Sequence, residues 1–325
     1  MCTAIGYQGR DFYFGRNLDL ECSYGEQVTI TPRNLPLPFR CLDTIHTHYA
    51  MLGMAHAVGG YPLYFEATNE CGLSMAGLNF PKNAYYGDKI PGKDCVSPFE
   101  LIPWILGQCR NLDQAKERLD RMALVNLPFS EQLPLSPLHW IIADETGAVT
   151  VESTREGLQI YRNPMGILTN NPPFPFHLDH LSHFMAATAT PPKNHFPQSW
   201  CVEGYSRGMG PMGLPGDWSS SSRFVRAAFV KANAPQYESE DAAVGHFFHM
   251  LDAVAVPRGC MILENGMDEY TIYSSCCNAS QGIYYYKTYD HSRITAVDLH
   301  RVNLDGQELI RYPRPEGHDV QKQNY

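Results

Sequence analysis

The sequence predicts an α+β fold in which sheets and helices pack as layers. Three observations carry this expectation. Strand-like and helix-like segments come in irregular blocks, without the regular strand–helix alternation of a parallel doubly wound sheet. Hydrophobic residues make up 44% of the 325 positions, enough for a sizeable core. Only 18% are charged, and 26 Gly with 24 Pro punctuate the chain with turns, a composition foreign to a coiled coil or a disordered chain. No low-complexity linker and no internal repeat divides the chain, so residues 1–325 read as a single domain.

The chain opens as a hairpin. Cys2–Tyr7 and Phe12–Asp19 flank a turn at Gln8-Gly9-Arg10-Asp11, where Gly and Asp supply the turn chemistry and aromatic residues suit the strands. A turn centred on residues 9 and 10 sets Cys2 opposite Arg16 or Asn17. Further strands are expected at Val28–Thr31, Leu138–Ala143, Ala148–Glu152 and Leu158–Tyr161, then at Thr271–Ser275, Gly282–Thr288 and Thr295–Asp298. Helices interrupt them. Ser97-Pro98-Phe99-Glu100 is a capping-box start for Leu101–Cys109, and Asn111 caps Leu112–Met122, where apolar residues recur at helical spacing. Serines 219–222 precede a helix bearing Phe224, Val225, Ala228 and Phe229; Ala242–Ala255 is the last helix, stopped by Pro257.

Charge narrows the partners. A formal net charge of −9 leaves no clustered Lys and Arg to neutralise phosphates, which excludes nucleic acid as a partner. It also gives no attraction to an anionic membrane. The early apolar positions are interrupted by Gln8, Arg10, Asp11 and Arg16, so neither a secretory signal nor a membrane span is expected, and a cytoplasmic location follows.

Ten cysteines do not form the spacing of a small stapled scaffold, and no Cys-x-x-Cys occurs. Most of Cys22, Cys41, Cys71, Cys95, Cys109, Cys201 and Cys260 therefore read as reduced, small core residues. His177, His180 and His183 recur every third residue and His46 and His48 add a pair, but no Cys or carboxylate completes a ligand set. With Pro173 and Pro175 beside them, these read as exposed loop histidines, and no metal or other cofactor is expected.

Residue 2 carries the chemistry. It is small enough for ordinary removal of Met1, which would leave Cys2 with a free α-amine beside its thiol. The amine, with a reference pKa of roughly 7.7–8.0, and the thiol, about 8.5, put base and nucleophile on one residue. Arg16 and Asp19 lie on the returning strand, where a guanidinium favours thiolate and a carboxylate orients the amine.

Cys2-Thr3-Ala4, Phe14-Gly15-Arg16-Asn17-Leu18-Asp19 and Thr29-Ile30-Thr31-Pro32-Arg33 resemble the choloylglycine hydrolase family, as do Asn69-Glu70-Cys71-Gly72-Leu73 and Ala76-Gly77-Leu78-Asn79-Phe80-Pro81. The resemblance runs on through Leu138-His139-Trp140, Gly166 to Pro172, Leu214 to Asp217 and Ser220 to Phe224, so it covers nearly the whole chain. It implies an N-terminal nucleophile hydrolase with an αββα sandwich, two antiparallel sheets between helical layers. It implies roles for Cys2 as nucleophile, Arg16 and Asp19 as its tuning pair, Asn170 as oxyanion donor with Asn79 beside it, and Arg223 as a supporting cation. Asn171 is the neighbouring alternative to Asn170. Association into a homotetramer is likewise implied by the family alone.

Within that family the division is between conjugated bile salts and phenoxymethyl penicillin. Asn79 in its Gly77-Leu78-Asn79-Phe80-Pro81 setting matches the bile salt hydrolases. Leu18, Leu20, Tyr24, Phe65, Phe129 and Leu133 are candidates to receive the apolar steroid, the last two from the proline-punctuated segment Pro128–Pro137. Penicillin V acylase and a non-catalytic binder of apolar acids are the alternatives.

Overall fold

The computed structural model describes residues 1–324. In chain order its first strands are β1 (Cys2–Gln8), β2 (Phe12–Leu20), β3 (Gln27–Thr31), β4 (Met51–Val58), β5 (Tyr61–Asn69) and β6 (Ser74–Asn79). Next come β7 (Asp94–Val96), β8 (Met122–Leu124), β9 (Leu138–Asp144), β10 (Gly147–Thr154), β11 (Gly157–Arg162) and β12 (Ile167–Leu168). The last are β13 (Tyr270–Asn278), β14 (Ile283–Thr288), β15 (Thr295–Asp298) and β16 (Ile310–Tyr312). The helices are α1 (Leu101–Gln108), α2 (Leu112–Leu119), α3 (Phe174–Leu181), α4 (Ser220–Ala232) and α5 (Glu240–Asp252).

Two antiparallel sheets dominate, a six-stranded one in the order β12-β1-β2-β13-β14-β15 and an eight-stranded one, β11-β10-β9-β6-β5-β4-β3-β16. One apolar cluster joins Ile5 and Phe14 of the first sheet to Leu52, Leu78 and Ile141 of the second, and continues to Phe224 of α4 and Phe247 of α5. A second cluster packs Trp104 and Leu106 of α1 and Ala115 of α2 on Met51, Ala67 and Trp140 of the eight-stranded sheet. The order of layers is therefore helix, sheet, sheet, helix. Among the described residues no helix is long and apolar enough to cross a membrane.

Several expectations are corrected here. The hairpin turn is centred on Arg10, because Gln8 pairs with Phe12, and Cys2 consequently lies opposite Leu18 while Arg16 pairs with Ala4. β4, β5 and β6 escape the period-two reading because the layers bury both faces of these strands, leaving no polar face to alternate with. Pro173 and Pro175 do not prevent α3: they occupy its N-terminal turn, where a missing N–H costs nothing. The loop reading of that segment is thus overturned, and His177 is fully buried. The core reading of the cysteines also fails in part, since Cys22, Cys71, Cys201 and Cys260 are exposed while Cys95 and Cys109 are buried. The capping-box contact forms at the 3₁₀ turn Pro98–Glu100 that leads into α1, with the Ser97 N–H donating to Glu100 Oε2 at 2.8 Å.

Candidate active site

Strand alternation sorts the opening hairpin into two chemical faces. Cys2, Leu18 and Arg16 lie on one face of the β1–β2 ladder; Thr3, Asn17 and Asp19 lie on the other. The first face looks into the space between the sheets. There Arg16 Nη1 donates to the carbonyls of Phe65 (3.0 Å) and Gly77 (2.6 Å), both in the opposing sheet. The second face looks to the helices: Asn17 Nδ2 donates to the Leu251 carbonyl of α5 at 2.9 Å, and Arg223 of α4 donates to Thr3 Oγ1 at 2.6 Å.

Cys2 is 2% exposed and Arg16 wholly buried. Burial works against the charge of Arg16, but Cys2, Tyr273, Glu66 and Asp19 together outweigh it and hold the guanidinium protonated. Among the described residues Arg16 Nη2 has no hydrogen-bond partner, nor has Asp19 Oδ2. Asp19 Oδ1 accepts from Thr271 Oγ1 at 2.7 Å, and Arg223 Nη1 stands 4.0 Å from Oδ2.

Asn170 follows the short strand β12 and reaches the chain start. Its Oδ1 accepts from the Cys2 N–H (2.8 Å) and from Arg223 Nη2 (2.7 Å), and its Nδ2 donates to the Asn79 carbonyl (2.6 Å). Two donors on one side and a carbonyl on the other determine the orientation of the amide. Asn171 points elsewhere, donating to the Pro81 carbonyl at 2.6 Å. Arg223 completes the ring through the Cys2 carbonyl and the Trp218 carbonyl, 3.0 Å from Nε. Burial lowers its proton affinity, with Asp19 and Cys2 pulling the other way.

Met1 occupies the mouth of this cluster. Its α-amine donates to the Asp19 carbonyl at 2.6 Å and contacts Glu269. Burial pushes that amine below its ordinary proton affinity, against the opposing pull of Cys2 and Asp19.

The structure thus brings together Cys2, Arg16, Asp19, Asn79, Asn170 and Arg223. Of the apolar candidates, Leu18 is buried directly across from Cys2, and Leu20 and Phe65 pack against the same cluster. Tyr24 is 48% exposed, with its ring 6.4 Å from that of Phe65. Phe129 is not brought to Cys2. It packs edge-on against Phe99 at 5.2 Å and beside Tyr61 at 5.9 Å, within the cluster on the far side of the eight-stranded sheet. Leu133 belongs to neither cluster.

Sequence reasoning missed the residues behind Asn170. His177 Nε2 donates to the Asn170 carbonyl at 3.0 Å. Ser220 Oγ accepts from the Asn170 N–H at 2.7 Å. His139 bridges the Thr169 carbonyl (2.9 Å) and Glu152 (3.0 Å). It also missed Glu66, whose signal was available: a lone acid within the apolar run Tyr61–Ala67 is rarely buried without a purpose.

The chain matches the model of the linear amide C–N hydrolases, choloylglycine hydrolase family, over residues 2–312. It is 50% identical to a bile salt hydrolase/transferase of Lactiplantibacillus plantarum over 96% of this chain and 97% of that one. It is 38% identical to a conjugated bile acid hydrolase of Lactobacillus gasseri, over 96% and 100%. The structure of a mutant conjugated bile acid hydrolase from Clostridium perfringens superposes with a TM-score of 0.92 at 32% identity, covering both chains completely. Penicillin V acylase from Agrobacterium tumefaciens shares the fold, with a TM-score of 0.75 at 19% identity over 96% of this chain and 91% of that one. The layered sheets are those of the N-terminal nucleophile hydrolases, and the chain belongs to the choloylglycine hydrolase family of linear amide C–N hydrolases.

Proposed function

We propose that this enzyme cleaves the amide bond of glycine- or taurine-conjugated bile salts, with Cys2 as nucleophile once Met1 is removed. The observation that carries the reading is the convergence of Arg16, Asp19, Asn170 and Arg223 on a single buried residue at the chain start. The names of the relatives, at up to 50% identity over nearly the full chain, supply the substrate class.

The chemistry follows from the placement. Without Met1 the Cys2 nitrogen becomes an amine, with Asn170 Oδ1 as acceptor and Asp19 one residue past Leu18, the strand partner of Cys2. An α-amine with a reference pKa of roughly 7.7–8.0 is partly unprotonated near neutral pH, so it can take the thiol proton. Sγ attacks the amide carbonyl, and the second hydrogen of Asn170 Nδ2, with the otherwise unbonded side chain of Asn79, receives the negative oxygen. The amine then gives its proton to the departing glycine or taurine nitrogen. Water hydrolyses the thioester that remains and returns Cys2.

Leu18, Leu20, Tyr24 and Phe65 form the apolar side of the site in this reading, and Leu133 itself belongs to neither apolar cluster. Apolar contact stabilises a bound steroid by roughly 25 cal/mol per Å² buried. Processing is checked by intact mass, which should show loss of Met1, and by labelling at Cys2. Cys2→Ala should remove hydrolysis and leave circular dichroism unchanged; near-wild-type turnover by that variant would refute the nucleophile. In parallel assays the specificity constant should favour conjugated bile salts over phenoxymethyl penicillin. The reverse order would sink the substrate reading and leave the cysteine mechanism standing.

Association into a homotetramer is part of this proposal. Met185, Trp200 and Tyr205 are 84%, 63% and 82% exposed on one long segment, apolar surface that a second copy would cover. Light scattering on the purified protein decides it, and a monomeric mass would dismiss it.

A further inference from the structure

Between the two sheets lies a buried carboxylate that the reaction above does not use. Glu66 is 2% exposed. β5 carries one extra residue here, since Met54 pairs with Glu66 while Ala55 pairs with Tyr64. The bulge that accommodates Phe65 directs its carbonyl to Arg16 Nη1 at 3.0 Å. Glu66 Oε2 accepts from Tyr273 at 2.7 Å. Its Oε1 accepts from Tyr284 at 2.5 Å and from Ser275 at 3.0 Å. Thus three hydroxyls from the six-stranded sheet fix a carboxylate that belongs to the eight-stranded one. Arg16 Nε stands 3.9 Å from Oε2.

Nε and Nη1 of Arg16 are therefore committed. Nε donates to the Asn17 carbonyl at 3.5 Å with Glu66 Oε2 3.9 Å away as its ion-pair partner, and Nη1 serves two carbonyls. Among the described residues Nη2 has no hydrogen-bond partner. Cys2 is the diagonal neighbour of Arg16 on the same face of the β1–β2 ladder. We propose that Glu66 is a positioning residue for the nucleophile: it holds the Arg16 guanidinium so that Nη2 is left for the Cys2 thiol, and its negative charge offsets part of the positive charge that Arg16 presents there.

Burial raises the proton affinity of Glu66, while Arg16 and the three hydroxyls pull it down. Its titratable neighbours are Arg16 from β2 and Tyr273, Cys277 and Tyr284 from β13 and β14. Cys2 itself is faced by the chain-start amine, by Arg16 and Asp19 from β2, and by Arg223 from α4. The inference rests on Cys2 as the reactive thiol but not on the choice of substrate.

The test is the pH profile of iodoacetamide alkylation at Cys2 in the processed full chain, read by peptide mass spectrometry so that the exposed cysteines do not interfere. Glu66→Gln keeps an acceptor for the hydroxyls and removes the charge. The midpoint should move about half a unit to one unit lower, because an uncompensated cation favours thiolate. The limiting rate at high pH should fall about twofold to threefold, since a less basic thiolate is a weaker nucleophile. With a glycine-conjugated bile salt, kcat should fall and KM stay within about twofold. Tyr284→Phe, which takes one hydroxyl from the carboxylate, should move the midpoint the same way by less. An unmoved midpoint and limiting rate in folded Glu66→Gln overturns the proposal. Should that variant fail to fold, Tyr284→Phe is judged by the same criterion. Normal alkylation behaviour combined with poor bile salt turnover in the unaltered enzyme would count against the substrate reading and leave this inference intact.

Discussion

At the scale of single residues, the amide of Asn170 links the chain start, Arg223 and the Asn79 backbone through both of its polar atoms. In the proposed reaction its remaining N–H is the donor for the developing oxyanion. Asn170→Ala should therefore lower kcat by about 10²–10³, corresponding to roughly 2.7–4 kcal/mol, while KM changes little. Steady-state kinetics with a conjugated bile salt checks this, and a defect confined to KM would assign Asn170 to ground-state binding. The choice between Asn170 and Asn171 was open in the sequence because adjacent residues point in different directions, and only the fold shows which one meets Cys2. His177 supports the same segment and invites a pH test. Burial holds its pKa down to about 4, below the unfolded value of about 6.5. Between those values the unfolded chain binds more protons, so stability falls as pH drops through this window and is unaffected above it. His177→Gln keeps a donor for the Asn170 carbonyl and cannot titrate. Denaturant titrations should show it losing about 2 kcal/mol less than the parent between pH 7 and pH 5; equal losses would show that another group governs the acid limb.

At the scale of elements, the hairpin β1–β2 carries Cys2, the proposed nucleophile, together with Arg16 and Asp19, its proposed tuning pair. β2 lies between β1 and β13, and Gly15 makes the approach to β13 possible: a Cβ there would sit 1.9 Å from the Ser275 carbonyl oxygen. Gly15→Ala forces backbone atoms apart, which should cost at least about 1–3 kcal/mol. Because Arg16 follows directly, the folded fraction should also lose turnover. Thermal melts and active-site titration by labelling at Cys2 separate the two effects; unchanged stability would mean the strands shift freely. The hairpin, the β9–β10–β11 meander and the capped helices α1 and α2 were all legible, since turn and cap signals act over a few residues. The register of β1 on β2 was not, because a turn of three residues in place of two displaces every pairing. The strands β4 to β6 were hidden for a different reason, burial on both faces.

At the scale of the whole molecule, two sheets close over the chain start and two helical layers cover them, so Cys2 lies in the interior. An uncleaved extension before Cys2 leaves that nitrogen an amide without basicity. Such a protein should fold, with circular dichroism and melting point near those of the processed form, yet hydrolyse nothing until a protease releases Cys2. Full turnover by the extended protein would rule out the amine as base. The layers also separate the apolar candidates: Leu18, Leu20 and Phe65 share the inter-sheet cluster, whereas Phe129 anchors its segment on Phe99 beyond the eight-stranded sheet.

By itself the sequence determined what depends on local chemistry: the layered α+β class, the hairpin, the helix caps, and the small residue after Met1 with an arginine and an aspartate on the returning strand. The ordered motifs that resemble the family added Asn79, Asn170 and Arg223, separated by up to 221 residues from the cysteine they surround. Tertiary structure alone decided which side of each strand met which layer. It set Cys2 opposite Leu18, placed Asn170 rather than Asn171 at its amide, buried His177 on a helix, and carried Phe129 away from the site. The physical reason is one of range. Caps and turns are satisfied within a few residues, whereas the partners of Arg16, Glu66 and Asn170 lie in other strands and layers, and only packing selects among the many groups that could satisfy them.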